Sequence, residues 1–280
     1  MALGNLASRF LVALVGVPII LGAVYQNWHH GILWVVVFAA SLVAINEFLA
    51  MAIDDKTDRM AGVILGGLAC AGFYWLGFRH GGALVAMFGA TVPVGLYYMF
   101  RFGDMSTAAA LFGTTVAGIV YGGLLFTFLA MLKRDGGPHG GDMVVFVLAI
   151  AWVGDTGAYF AGRFLGKTKL YPAVSPGKTW AGAFGGLAGS ALAAVVMHLV
   201  RMQDVGWAHM FAMALPAAAL GQMGDLVESM LKRSRGVKDS GTLLPGHGGM
   251  LDRVDAVLFI GPYVYLYYFV AGPELHRLFS

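Results

Sequence analysis

Charged residues are scarce in this sequence of 280 residues, at 12% against the roughly 25% typical of soluble domains. The same chain is 59% hydrophobic, and a soluble core of this size could not bury so much apolar surface. This composition excludes an ordinary soluble domain. It predicts a chain that is solvated largely by a bilayer, which agrees with 13% aromatic residues, since aromatic side chains favour membrane interfaces.

Several other features are absent, and each absence excludes a class of protein. The single cysteine, Cys70, lies in an apolar run and has no partner for an intrachain disulfide. The pattern GxxxxGK[ST] of a P-loop does not occur, no His/Cys grouping predicts a zinc site, and no Ser or Cys has the setting of an acyl-transfer nucleophile. The net charge of +3 comes without any recognisable nucleic-acid-binding module, so we expect no nucleic-acid partner.

Long apolar runs are abundant, and a helix needs roughly 20 such residues to span a membrane. We predict an all-α, polytopic integral membrane protein of about nine transmembrane helices, folded as a single membrane domain over 1–280. Within it, 1–140 would form a lipid-facing scaffold and 141–271 the catalytic part. The first run is interpreted as a retained helix rather than a cleaved signal peptide. The predicted spans are 9–25, 31–51, 60–78, 81–100, 106–132, 141–163, 179–200, 206–231 and 250–271.

The basic residues predict the orientation of these spans. With the N-terminus in the cytoplasm, 13 of the 18 Lys and Arg residues fall on the cytoplasmic side, as the positive-inside rule requires. We therefore expect a protein of the cell (cytoplasmic or inner) membrane. Its two most polar loops, 163–178 and 232–249, would then face the compartment that holds nucleotides.

Carboxylates are the least expected residues in these spans, because each costs about 2.5–3.5 kcal/mol on insertion scales. Asp225 and Glu228 are three residues apart, as are Asp252 and Asp255, and this spacing places the members of each pair on one helix face. Two carboxylates so close repel each other unless a cation lies between them, and oxygen ligands suit Mg²⁺. The six acids are Glu47, Asp155, Asp225, Glu228, Asp252 and Asp255.

Structural roles for these acids remain open alternatives. Glu228 can pair with Lys232 one helical turn later, and Asp252 or Asp255 can pair with a nearby arginine. Glu47 stands alone in the second span, where it either supports a site or pairs with a loop cation.

Basic residues and a glycine-rich loop complete the pattern. Lys178 follows a Ser-Pro-Gly turn that begins at Ser175, and a second basic group lies around Lys232 and Lys238. The loop PGHGG at 245–249 has the composition of a backbone phosphate cradle, whereas most of the 41 glycines are expected to serve helix packing. Carboxylates for a metal and cations for phosphates are what phosphoryl-group chemistry needs.

At these residues the sequence resembles the phosphatidate cytidylyltransferase (CDP-diacylglycerol synthase) family. The stretch 229–255 resembles the C-terminal signature of that family, S-x-x-K-R-x4-K-D-x-G-x4-G-H-G-G-x-x-D-R-x-D, throughout. The segments GDTGAYFAGRFLGK (154–167) and SPGKTW (175–180) are similar to two further family segments. One departure is Ala181, where many members carry Glu or Gln.

The resemblance implies an enzyme that converts CTP and phosphatidate into CDP-diacylglycerol and pyrophosphate with Mg²⁺. It implies metal binding by Asp225, Asp252 and Asp255, with Asp155 and Glu228 as further candidate ligands, and assigns Lys178 and Lys232 to the catalytic group. The implied substrate-binding residues are Ser175, Lys178, Lys232, Arg233, Lys238, Asp239, His247, Gly248 and Gly249. The expected partners are CTP, phosphatidate and membrane lipid, and a homodimer is left open.

Two other functions compete with this interpretation. A CTP-dependent lipid kinase would transfer the γ-phosphate with similar machinery, although the complete C-terminal signature argues against it. A membrane transporter would explain glycine-rich helices and intramembrane acids, but it leaves the paired acids and the basic loops of one face unexplained. A CDP-alcohol phosphotransferase is excluded because DGxxAR followed by GxxxDxxxD is absent.

Overall fold

The computed structural model describes residues 18–26, 31–78, 80–101, 104–241 and 248–279, with the main chain alone from 271 onward. Within these residues, seven helices are long and apolar enough to cross a membrane. The prediction of an all-α polytopic membrane protein is therefore confirmed. The first predicted span lies mostly outside the described residues, which are helical over 18–25.

The chain divides into two compact units. Unit 1 comprises Met1–Met131 and Arg235–Val254, and unit 2 comprises Leu132–Ser234 and Asp255–Ser280. The expected division into scaffold and catalytic parts over 1–140 and 141–271 stays a prediction, and each unit is described by itself.

Unit 1 is built from helices. Helix α2 (Lys56–Leu76) begins after Asp55, whose side chain accepts the Thr57 and Asp58 N–H groups at 2.7 and 3.1 Å, as an N-cap should. It packs on α1 (Gly31–Ala50), where the rings of Trp34 and Tyr74 stack with centroids 4.2 Å apart. The helices are α1 (Gly31–Ala50), α2 (Lys56–Leu76), α3 (Gly82–Phe100), α4 (Met105–Gly118), the π-helical turn Ile119–Leu124, the first part of α5 (Leu125–Asp135) and, near the end of the unit, the four-residue α9 (Leu251–Val254).

Unit 2 contains the end of α5, four helices and a small hairpin. Helices α6 (Gly140–Leu165) and α7 (Trp180–Val200) pack through small residues that let the backbones touch: a Cβ added at Gly189 would lie 2.5 Å from the Val153 carbonyl oxygen. The glycines of this segment therefore serve helix packing, as the sequence predicted. The elements after α5 are the 3-10 turn Gly137–His139, α6 (Gly140–Leu165), β1 (Lys169–Tyr171), β2 (Ser175–Thr179), α7 (Trp180–Val200), α8 (Trp207–Ser234) and α10 (Val257–Phe279).

Two features differ from the predicted spans. The loop predicted at 163–178 contains the antiparallel hairpin β1–β2, in which Lys169 faces Thr179 and Tyr171 faces Ser175. The last predicted span, 250–271, is wrong at its start, because the polar cluster Asp252, Arg253 and Asp255 interrupts the apolar run. The chain turns at 255–256, and α10 begins at Val257.

Candidate active site

The hairpin of unit 2 places a lysine against an acid of a helix. Lys178 lies on β2, and its Nζ forms a 2.7 Å ion pair with Oδ2 of Asp225 on α8. The same ammonium donates to the Gln222 carbonyl oxygen at 3.5 Å. The next residue, Thr179, ends the strand and caps α7 by accepting the Gly182 N–H at 3.1 Å. The hairpin thus holds Lys178 against α8 although 47 residues separate the pair in sequence.

A cavity of about 580 Å³ opens beside this ion pair, a volume within the range of small-molecule sites. Lys178 and Asp225 both line the cavity, and α6 contributes a second acid, Asp155. Its remaining lining comes from α6, the hairpin, α7 and α8: Ala158, Tyr159, Gly162, Arg163, Leu170, Gly177, Thr179, Gly182, Ala183 and Gln222. The cavity is therefore lined by two acids, Asp155 and Asp225, and two cations, Arg163 and Lys178.

Besides Thr179, three polar residues of this cavity are absent from the predicted site residues. Arg163 donates from Nη1 to the Tyr159 hydroxyl at 2.7 Å, and Gln222 donates from Nε2 to the Ala183 carbonyl at 3.1 Å. From the sequence, Arg163 is only one of the basic residues on the predicted cytoplasmic side. A signal was present, because Asp155, Tyr159 and Arg163 follow one another at intervals of four residues and so share one face of α6.

A third acid is electrostatically coupled to this group. Asp255 lies in the turn before α10, outside the spanning helix. Burial and the negative charge of Asp225 raise the pKa of its carboxyl from 3.8 to about 7, with a further contribution from Asp155. The Ala256 N–H, 2.7 Å from Asp255 Oδ1, and the Lys232 charge act in the opposite direction. A carboxyl so disfavoured as an anion would be stabilised by a cation close by.

These acids fit a magnesium ion that is completed by substrate. Among the described residues, no group of three His, Cys, Asp or Glu side chains is arranged to hold a metal on its own. Mg²⁺ does not require one, because it binds through one or two carboxylates together with waters and substrate phosphates. The mutual repulsion of the carboxylates Asp155, Asp225 and Asp255 is what such an ion would relieve.

The other predicted residues of unit 2 occupy the end of α8 and the hairpin. Glu228 is fully buried and pairs with Lys232 at 3.1 Å, which is the alternative that the spacing had left open. Arg233 is exposed at the end of the same helix, and Ser175 begins β2.

The remaining predicted residues belong to unit 1. Lys238 and Asp239 are exposed, and Asp252 accepts the N–H groups of Ser240 and Gly249 at 2.9 and 2.8 Å. Gly248 adopts a positive φ of 75°. His247 lies outside the described residues.

Comparison with known proteins places the chain in a family. The sequence profile of the cytidylyltransferase family matches residues 7–271. Proteins named phosphatidate cytidylyltransferase are similar to it: that of Brucella suis is 43% identical over 155 residues, 55% of this chain and 57% of that protein. The Bacillus subtilis protein is 40% identical over 151 residues, or 54% and 55% of the two chains.

The match to these two relatives thus spans just over half of their length. A Staphylococcus epidermidis protein of the same name is matched more completely, at 34% identity over 237 residues, 82% of this chain and 87% of that protein. The profile covers nearly all of the sequence and the last alignment most of both proteins. The chain therefore belongs to the cytidylyltransferase family.

Proposed function

We propose that this protein transfers the cytidylyl group of CTP to phosphatidate and so makes CDP-diacylglycerol and pyrophosphate. The observation that carries the proposal is the cavity of unit 2, where Lys178 and Asp225 form an ion pair beside Asp155 and Arg163. Cations and carboxylates in one cavity suit a reaction between phosphates. The names of the relatives agree with this chemistry.

The reaction requires no protein nucleophile. An oxygen of the phosphatidate phosphate attacks the α-phosphorus of CTP in line, and the bond from that phosphorus to the β-phosphate oxygen breaks. Pyrophosphate leaves with the electron pair. Lys178 would leave Asp225 for an incoming phosphate, since a flexible lysine acts as a movable point charge. We assign Lys232, Arg233 and Lys238 to phosphate binding on the basis of the family signature.

The carboxylates have a separate task. Asp225 and Asp255 would hold Mg²⁺ with Asp155 nearby, and Asp252 remains a candidate ligand from the family signature. The ion supplies neutralisation of the charge that develops on the phosphates. Release of Lys178 would leave the Asp225 carboxylate available to the metal. The ion pair would then be replaced by a contact of Lys178 with a substrate phosphate and a contact of Asp225 with the metal.

The lipid substrate determines where the cavity must open. Phosphatidate carries a charged headgroup and two acyl chains, so its phosphate must reach the cavity while its tails stay in lipid. Exposed aromatic residues directly follow lining residues in the sequence of α6 and α7: Phe160 and Phe164 on α6, with Trp180 and Phe184 on α7. We assign the headgroup to Arg163 and Tyr159 at the rim, with the cavity facing the cytoplasm.

The decisive experiment is an assay in detergent micelles with CTP labelled at the α- or the γ-phosphate. Phosphatidate and α-labelled CTP should give a labelled CDP-lipid, and γ-labelled CTP should give labelled pyrophosphate. In a parallel reaction with diacylglycerol in place of phosphatidate, transfer of the γ-label to its hydroxyl, with release of CDP, would identify a lipid kinase instead. If neither product forms and proteoliposomes show solute flux, the transporter replaces the enzyme.

A further inference from the structure

A buried carboxylate in unit 1 has no part in the reaction described above. Glu47 lies near the end of α1, and only 6% of its surface is exposed. Among the described ion pairs, none joins Glu47 to a lysine, arginine or histidine. A carboxylate in that position needs compensation from hydrogen-bond donors.

Those donors are backbone N–H groups from about 200 residues further along the chain. Glu47 Oε1 accepts the Met250 N–H at 3.0 Å, and Oε2 accepts the Leu251 N–H at 2.9 Å. The Ser240 hydroxyl donates to Oε2 at 3.2 Å. The side chain thus binds both described flanks of residues 242–247.

The same serine connects Glu47 to Asp252. Ser240 Oγ lies 2.9 Å from Asp252 Oδ2, which also accepts the backbone N–H groups of Ser240 and Gly249 at 2.9 and 2.8 Å. A hydroxyl has one proton, so it serves one carboxylate at a time, and the backbone amides supply the rest. The orientation of Asp252 therefore depends on the turn that Glu47 holds.

Two glycines next to Glu47, Gly241 and Gly249, are required by the same close contact. A Cβ at Gly249 would lie 2.7 Å from the carboxyl carbon of Glu47, and one at Gly241 would lie 2.6 Å from its Oε1. Neither position has room for a side chain while the Glu47 carboxylate is in place. The glycine pattern of the signature is thus in part a requirement for the approach of Glu47.

We propose that Glu47 is a positioning residue: its buried carboxylate fixes the turn Gly249–Leu251 and, through Ser240, the orientation of Asp252. The consequence for turnover rests on the proposed function, because there Asp252 is a candidate metal ligand. Partners that orient a metal ligand typically change metal affinity or activity by about 10–100-fold. Glu47 itself contacts neither substrate nor metal in this proposal.

The substitution Glu47→Gln tests the charge without changing the shape. Each carboxylate oxygen of Glu47 faces a backbone N–H, so either orientation of the amide places its NH₂ against another donor. Hydrogen exchange read by mass spectrometry should show the Met250 and Leu251 amides exchanging at least about tenfold faster, the rate set by opening of that turn. The α6 peptides should not change.

The matched control is Asp58→Asn. Asp58 is also a buried acid of unit 1, at 3% exposure, but it binds the Tyr97 hydroxyl at 2.8 Å and Arg101. This variant should leave exchange of the turn unchanged. Equal exchange in Glu47→Gln and the wild type, or equal acceleration in both variants, overturns the proposal.

The Mg²⁺ dependence of turnover distinguishes positioning of Asp252 from a purely structural role of Glu47. Glu47→Gln should raise the Mg²⁺ concentration for half-maximal turnover by about 10–100-fold, whereas Asp58→Asn should leave it unchanged. Ser240→Ala should shift both readouts in the same direction by less, and it serves as the test if Glu47→Gln does not fold. An unchanged Mg²⁺ requirement with faster exchange refutes the effect on Asp252. A wild-type protein without transferase activity refutes the proposed function alone, because exchange is measured without turnover.

Discussion

The Lys178–Asp225 ion pair can be tested directly, because a structural role and a catalytic role predict effects of different size when one partner is replaced. The pair is 2.7 Å long, with side chains 25% and 38% exposed. Solvent screens a pair so exposed, and such pairs contribute about 0–1 kcal/mol to stability. If the pair only holds the hairpin to α8, removing one partner should cost no more than that.

Catalysis predicts a much larger effect on turnover. Lys178→Met and Asp225→Asn should each lower turnover at least about 100-fold, which is about 2.7 kcal/mol of transition-state stabilisation. The assay is CDP-lipid formation at saturating CTP and phosphatidate, with thermal unfolding measured on the same samples. Because the two residues would act on different partners, metal and phosphate, the double variant should be no more active than either single variant.

The outcome that refutes this reasoning is specific. Recovery of activity in the double variant would mean that each single change merely leaves an uncompensated charge. Near-normal activity in either single variant would assign that residue to structure. Lys167→Ala is the matched control: Lys167 is an exposed cation between α6 and the hairpin and does not line the cavity. Its turnover should stay within about twofold of the wild type, as for a typical surface substitution.

Three further predictions concern the headgroup assignment, the membrane orientation and the metal ligands. Arg163→Ala should raise the apparent KM for phosphatidate at fixed surface density by about tenfold, as expected for a lost charged hydrogen bond, with the KM for CTP unchanged; equal changes in both would refute the headgroup assignment. Lys238→Cys in a Cys70→Ser background should react with an impermeant thiol reagent only from the cytoplasmic side, and labelling from outside would overturn the orientation. The pKa of Asp255 is raised to about 7 in the folded protein, so the free energy of unfolding without Mg²⁺ should fall as pH rises from about 4 to 7. Mg²⁺ should stabilise the protein more strongly above pH 7 than below it. A stabilisation by Mg²⁺ that does not change between pH 5 and 8 would contradict the ligand assignment.

The spans could be predicted from sequence because their signal is local. A run of about 20 apolar residues needs no knowledge of its neighbours, so 179–200 was expected and Trp180–Val200 was found. The hairpin was missed because its strands of three and five residues, Lys169–Tyr171 and Ser175–Thr179, are short, polar and rich in turn residues. A signal so short does not stand out from that of a loop.

Only the local partner of an acid could be predicted, as for Glu228 and Lys232 one helical turn apart; the partners of Asp225 and Glu47 are set by tertiary structure. The spacing of Asp225 and Glu228 suggested one shared face, yet each acid has its own lysine, Lys178 and Lys232. The first of these lysines is distant in sequence and arrives through the hairpin. Glu47 is the extreme case, since its donors lie 203 and 204 residues away and are backbone groups, which no side-chain pattern reveals.

The way each acid is compensated indicates what it can do. Asp225 is balanced by the Lys178 ammonium in a partly exposed pair, so under the proposed function a substrate phosphate would bind the lysine and a metal would bind the carboxylate. Glu47 is balanced by two backbone N–H groups and a hydroxyl at 6% exposure. The two backbone donors cannot leave without breaking the turn, so we expect Glu47 to keep them throughout a reaction cycle. An acid paired with a lysine suits ligand exchange, whereas an acid held by the backbone suits positioning, and the Glu47→Gln and Asp225→Asn variants should differ accordingly: only the first should release the Gly249–Leu251 amides.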